Sequence, residues 1–303
     1  MSILRKLRES RKLSLKKLAK EIEVDPKELD VWENNSTQIP KYALSAIAYY
    51  FGFSSDDLQD AINGSQAKLT TNIYHRLIDE DSEDGLWGHF GIRLNGQSSS
   101  TWFPITLGVA DDIFSELSTL NSKDKWLIVE TLNNRVLVFR PSAVNRLWTL
   151  DDRVELPGDD WCIPWDGYAG NPGEFYKALE EYYFQGMGFG DDLEVSAIVK
   201  KDVENFTDVH DLDLDLVERL VLETHVYDID GSEHSHYIDE SKLVEIVNNI
   251  EYEWPQLMFD LGSECFDLYV PVDNVALINM PKRRVDLALR EHYGNLEELD
   301  CEA

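Results

Sequence analysis

Long hydrophobic runs are missing from this 303-residue sequence. No stretch approaches the roughly 18 apolar residues of a bilayer-spanning helix, so no membrane partner is expected. Cysteine is scarce as well. Cys162, Cys265 and Cys301 are odd in number and widely spaced, which excludes a disulfide framework and a cysteine zinc site and predicts free thiols. Met1–Lys20 is basic and lacks the apolar core of a secretion signal, so a cytoplasmic chain is expected. A P-loop, a G-x-G-x-x-G after a strand, G-x-S-x-G and H-E-x-x-H are all absent, and nothing points to an enzyme or to a cofactor.

Positive charge is the remaining scarcity: 28 Lys+Arg stand against 58 Asp+Glu, a net −30. The imbalance is confined. Residues 1–60 hold 10 basic and 10 acidic residues, leaving 18 basic against 48 acidic for the rest. Within Met1–Lys20, eight basic residues face a single acid, Glu9. Such a face suits phosphates, whereas the rest of the chain would be repelled by them. That acidic body is expected to serve sensing, oligomerisation or partner docking. A second reading makes it a nucleic-acid-like surface for a basic protein. Apolar content is ordinary, and the length suffices for two or three cored domains.

What is present is most specific between Ser14 and Asn35. Ser14 can cap a helix with Leu15, Leu18, Ala19 and Ile22 at helical spacing. Glu23-Val24 interrupts the pattern. Asp25 can cap a second helix whose first turn holds Pro26, and Leu29 and Trp32 would pack it against the first. Ile3, Leu4 and Leu7 stripe a leading helix; Pro40–Tyr42 opens a later one with Leu44, Ile47, Ala48 and Phe51, closed by Gly52, before a short turn through Leu58. Two short helices about a tight turn are the helix-turn-helix pattern.

This run resembles the Cro/phage-repressor (Xre-type) DNA-binding domain, over about one fifth of the chain. The resemblance implies five helices over residues 1–62, double-stranded DNA as partner and a homodimer on paired half-sites. It implies base reading by Pro26, Lys27, Asp30 and Val31. Phosphate contacts would fall to Ser14, Lys16, Lys17, Asn34, Asn35 and Lys41, and Arg8 would pair with Glu33. Three features depart from the family: Glu23 stands where the turn usually has Gly, Ser36-Thr37-Gln38 replaces the basic residue usual after the second helix, and that helix carries Asp25, Glu28, Asp30 and Glu33 against Lys27 alone. A degenerate helix-turn-helix acting as a protein-interaction module, an antitoxin or inhibitor, is therefore the alternative.

Residues 63–85 read as a linker with an acidic loop, and an α+β body follows as 86–200 and 201–303. Strand pairs flank Asn133-Asn134, read as a two-residue hairpin turn, and a charged helix ends the chain. Val136–Leu150 and Phe266–Met280 echo each other as strand, proline, turn and strand, which suggests antiparallel, barrel-like or rolled sheets related by duplication. The fold class is multidomain: an all-α domain followed by α+β. A two-residue turn at Asp230-Gly231 would bring His225, His234 and His236 onto one sheet face, three imidazoles suited to zinc and to a metal-dependent enzyme; a solvent-facing polar hairpin is the plainer reading. Trp161–Tyr168, with Phe175, Tyr176 and Phe184, could wall a pocket or fill a core.

Overall fold

The computed structural model describes residues 2–34, 39–64, 86–120, 125–158, 160–161, 171–190, 194–249, 258–263 and 265–301. They divide into two compact units, one of residues 1–85 with 171–217, the other of 86–170 with 218–303. The boundary expected at residue 200 is therefore not the one the contacts draw, because the segment 171–217 packs with the N-terminal helices.

The first unit opens with α1 (Ile3–Ser10), α2 (Leu15–Glu21), α3 (Pro26–Asn34), α4 (Lys41–Phe51) and α5 (Ser55–Asn63). Their apolar positions close a core of Leu4, Leu18, Ala19, Ile22, Leu29, Trp32, Ile47 and Leu58. Helix α4 is buried from Ala43 to Phe51, since its other side meets α7 (Gly173–Phe184) and α8 (Ala197–Val209). Polar bonds fix that contact. Tyr49 Oη donates to Asp202 at 2.7 Å and Ser196 N to Ser45 Oγ at 3.0 Å. The N-terminus of α5 is capped by Ser54 and Asp57, and Ser55 N donates to the Glu174 carboxylate of α7 at 2.6 Å. Burial pushes the Glu174 carboxyl above its ordinary value, against the pull of Lys177 and the two serines.

The second unit repeats one pairing scheme. Strands β1 (Gly88–Leu94) and β2 (Thr101–Ile105), helix α6 (Leu107–Thr119), strands β3 (Leu127–Glu130) and β4 (Arg135–Phe139), a 3-10 turn at Pro141–Ala143 and β5 (Val144–Asp151) make the first half. After α9 (Leu214–Val221), the second half runs β6 (Thr224–Asp228), β7 (Glu233–His236), α10 (Glu240–Asn249), β8 (Met258–Asp260), β9 (Tyr269–Pro271), a 3-10 turn at Val272–Asn274 and β10 (Val275–Pro281), before α11 (Lys282–Cys301). Strand β1 pairs with β2 and β5 as β6 pairs with β7 and β10, and β3–β4 matches β8–β9. The echo of Val136–Leu150 in Phe266–Met280 lies on these equivalent strand–3-10–strand segments.

The halves join through β4 and β10, giving sheets β2-β1-β5, β3-β4-β10-β6-β7 and β8-β9. Both joining strands are buried on two faces, which is why Val136–Phe139 and Val275–Ile278 read as continuous apolar runs. Leu137, Phe139 and Leu277 meet Phe90 and Ile92 on one side. Val136, Val138, Ile278 and Met280 meet Leu243, Phe259 and Val285 on the other. The barrel-like arrangement does not form: among the described residues the sheets are open.

Both sequence-read hairpin turns are longer than expected by one residue. Thr131 N donates to Arg135 O at 2.8 Å, so the β3–β4 loop is Leu132-Asn133-Asn134, with Asn134 left-handed at φ 62°. Asp228 N donates to Ser232 O at 2.9 Å, so the β6–β7 loop is Ile229-Asp230-Gly231, with Gly231 at φ 88°. These are three-residue loops whose last residue takes the left-handed conformation. Asn134 then caps α11, accepting Lys282 N on its carbonyl and Arg283 N on its side chain, both at 2.9 Å.

Asp160 staples the first half together. Its side chain is buried and accepts from Ser100 N at 2.7 Å, Ser100 Oγ at 2.9 Å and Trp148 Nε1 at 3.0 Å. Its carbonyl takes Trp102 Nε1 at 2.8 Å. Burial raises the carboxyl, but these donors and Arg93 outweigh it and hold it below its ordinary value. Asp160→Ala strands buried donors, and we expect a loss of about 3 kcal/mol in denaturant unfolding of the full chain. A loss below about 1 kcal/mol would show that the donors find other partners.

Candidate nucleic-acid interface

The α2–turn–α3 unit is set by local chemistry. Ser14 Oγ accepts from Lys17 N at 3.2 Å and so caps α2. Helix α2 ends where Val24 N returns to Ala19 O at 2.9 Å, which places Glu23 in the left-handed region at φ 57°. A non-glycine residue there costs roughly 1–2 kcal/mol of backbone strain. Asp25 Oδ1 then accepts from Lys27 N at 2.7 Å, starting α3 with Pro26 at its first position.

The exposed face of α3 carries Pro26, Lys27, Glu28, Asp30, Val31 and Asn34, with Val31 at 59% exposure despite its apolar side chain. The opposite face buries Leu29, Trp32 and Glu33. Glu33 is the polar anchor of that face. Arg8 Nε donates to its Oε1 at 2.5 Å and Arg8 Nη2 to its Oε2 at 2.9 Å, while Arg8 Nη1 reaches Leu13 O at 2.8 Å. Arg5 adds a bond to Glu33 Oε2 at 3.3 Å. Burial alone would raise the Glu33 carboxyl; the Arg8 hydrogen bonds and charge, with Arg5, outweigh it and hold it below its ordinary value.

The other sequence-read positions divide into three groups. Lys16 and Lys17 are exposed on α2, beside exposed Lys12 and Lys20, open to an approaching polyanion. The Asn34 side chain is engaged, donating to Asp30 O at 2.8 Å and accepting from Arg5 at 3.2 Å. Lys41 is exposed but ion-paired with Glu194, so a phosphate there competes with a carboxylate. Asn35 lies outside the described residues. Sequence reading missed Arg5 and Glu194. Arg5 stands three residues before Arg8 on the same helix face, which signals a shared partner; Glu194, some 150 residues away, gives no local signal.

The zinc constellation is not assembled. The β6–β7 register sets Val226 opposite His234 and Thr224 opposite His236, with His225 opposite Ser235. The additional loop residue thus puts His225 on the other face of the sheet from His234 and His236. His225 Nδ1 contacts Glu233 at 2.9 Å and His234 Nε2 contacts Asp228 at 3.2 Å. Among the described residues no group of three or more His, Cys, Asp or Glu side chains could hold a metal ion. Of the aromatic group, Phe175 and Tyr176 are core residues, Phe184 is 65% exposed, and Trp161 packs on Trp102 at 4.6 Å; positions 162–168 lie outside the described residues.

Helices α1–α5 therefore define a helix-turn-helix domain of the Xre type, a DNA-binding class. The family model described as a helix-turn-helix domain matches residues 2–64. Searches of curated proteins and of solved structures return no match. Among the described residues no helix is long and apolar enough to cross a membrane.

The sign of the pH dependence follows from Glu33. Its folded value is depressed, so its contribution is complete above the unfolded value of about 4.3 and is lost as pH falls through the folded value. Glu33→Ala leaves two arginines facing a cavity, and we expect about 3 kcal/mol of destabilisation at pH 7. That loss should shrink as the pH is lowered below about 4. Thermal unfolding of both proteins against pH measures it; a pH-independent difference would mean that packing, not the ion pair, is what Glu33 supplies.

Proposed function

We propose that this chain is a cytoplasmic, non-catalytic transcriptional regulator that binds specific DNA sequences as a homodimer, with the acidic body serving sensing or oligomerisation. The observation that carries the reading is the outward face of α3, braced from behind by Arg8 and Glu33 and flanked by exposed lysines on α2. Lys16 and Lys17 supply charge to phosphates. Lys27, Asp30 and Val31 meet base edges, where a carboxylate accepts from cytosine N4 and an apolar side chain suits the thymine methyl. A second reading, a protein-docking module, is favoured by Glu28 and Asp30 on that same face.

Fluorescence anisotropy of the full chain with duplexes recovered by in vitro selection distinguishes the two. Lys16→Ala and Lys17→Ala should each flatten the slope of log affinity against log salt by about 0.9 and weaken selected and scrambled duplexes alike. Lys41→Ala should do less, its charge being shared with Glu194. Lys27→Ala should narrow the ratio between selected and scrambled duplex. Failure to bind any duplex at low salt would leave the docking module as the reading.

A further inference from the structure

Sheet edges expose unpaired backbone groups, and folds usually blunt them with short strands, proline or charge. Among the described residues most edges here are blunted. Strand β2 carries Pro104, whose carbonyl accepts Leu132 N at 2.8 Å. Strands β3 and β7 are four residues long and carry Glu130 and Glu233. Strand β9 is three residues long and ends in Pro271. Strand β5 is the exception. It runs eight residues, Val-Asn-Arg-Leu-Trp-Thr-Leu-Asp, contains no proline, and pairs among the described strands with β1 alone. Its repeat-equivalent β10 is covered on both edges, by β6 and by β4. Among the described residues the first half thus leaves without a strand the edge that the second half fills with an antiparallel one.

The phase of that edge can be read. Asp152 N bonds Trp87 O, so with the β1–β5 register Arg146, Trp148 and Leu150 turn their backbone to β1, the phase changing only at the bulge between Val144 and Arg146. Leu147 and Thr149 turn theirs outward, as does the N–H of Asp151, whose carbonyl accepts Val154 N at 3.1 Å. Charge favours an identical strand as the occupant. Arg146 stands near the start of β5, 41% exposed although it shares its charge with Asp160 at 3.4 Å, and Asp151 and Asp152 stand at its end, before Arg153. Antiparallel pairing with an identical strand sets the Arg146 end of each against the acidic end of the other, twice, about a twofold axis.

We infer that β5 is the dimerisation edge, pairing antiparallel with β5 of a second copy to form a continuous six-stranded sheet, β2-β1-β5 joined to its twofold mate. The choice of a second copy rests on the regulator reading, in which paired half-sites require two helix-turn-helix domains.

The test uses the full chain without DNA. Sedimentation equilibrium should show a monomer–dimer equilibrium. Thr149→Pro removes one outward N–H per chain while sparing the β1–β5 ladder, and should raise the dissociation constant about tenfold or more with the circular dichroism unchanged. Should that variant misfold, hydrogen exchange on the unmutated chain decides. The amides of Leu147, Thr149 and Asp151 should gain protection with rising protein concentration. A chain monomeric at every concentration, a Thr149→Pro dimer as tight as the parent, or concentration-independent exchange at these amides overturns the inference. Dimerisation through β5 in a chain that binds no duplex would support this edge and remove the regulator reading; duplex binding by a monomer would do the reverse.

Discussion

A carboxylate with almost no solvent exposure stays ionised only where cations or hydrogen-bond donors compensate its burial, and Glu33 meets that condition through Arg8 and Arg5. The pairing ties the first helix of the chain to the last turn of α3, across the core formed by Leu4, Leu29 and Trp32. The geometry of the outward face follows from it. Because Leu29, Trp32 and Glu33 point inward, Lys27, Asp30, Val31 and Asn34 must point out at helical spacing. Of the carboxylates on this helix, Glu28 and Asp30 thus belong to its presented face, and the exposed lysines beside it lie on α2, the preceding helix.

The rest of the first unit adds constraint. Helix α5 begins over Glu174, α4 is pinned through Ser45 and Tyr49, and Lys41 shares its charge with Glu194. Bound to α7 and α8 in this way, the helix-turn-helix residues extend a larger helical unit. The body follows a different logic, two copies of one pairing scheme fused through β4 and β10, the strands that are buried on both faces.

The helix-turn-helix region is legible because its signals are local: caps at Ser14 and Asp25, a proline opening α3, a glycine closing α4, and apolar residues at helical intervals. The body was legible in outline, down to the repeated strand–turn–strand segments. At Asn133-Asn134 and at Asp230-Gly231 the sequence suits a two-residue turn, but the chain uses three residues with the last in the left-handed conformation, and Asn and Gly favour both arrangements. At the second hairpin that single residue separated His225 from His234 and His236. Helix α8 gave a thin signal because its buried stripe is Val199, Val203 and Thr207, with a polar residue where a third aliphatic would have completed the pattern. The association of 171–217 with the N-terminal helices was beyond sequence reading, since contacts such as Ser45 with Ser196 span some 150 residues.

The turns of the two equivalent hairpins, Asn95-Gly96 and Asp230-Gly231, meet tip to tip. A Cβ built on Gly96 would lie 2.8 Å from Asp230 O and one on Gly231 3.1 Å from Asn95 O, and both glycines have φ near 88°. Loop ends are ordinarily where a chain drifts and accepts extra residues most freely. Here each tip is the other's wall, so neither half of the repeat could lengthen its turn without the counterpart yielding. Differences between the halves are thereby steered to other loops, and at the meeting point of the two tips the two pairing schemes constrain each other.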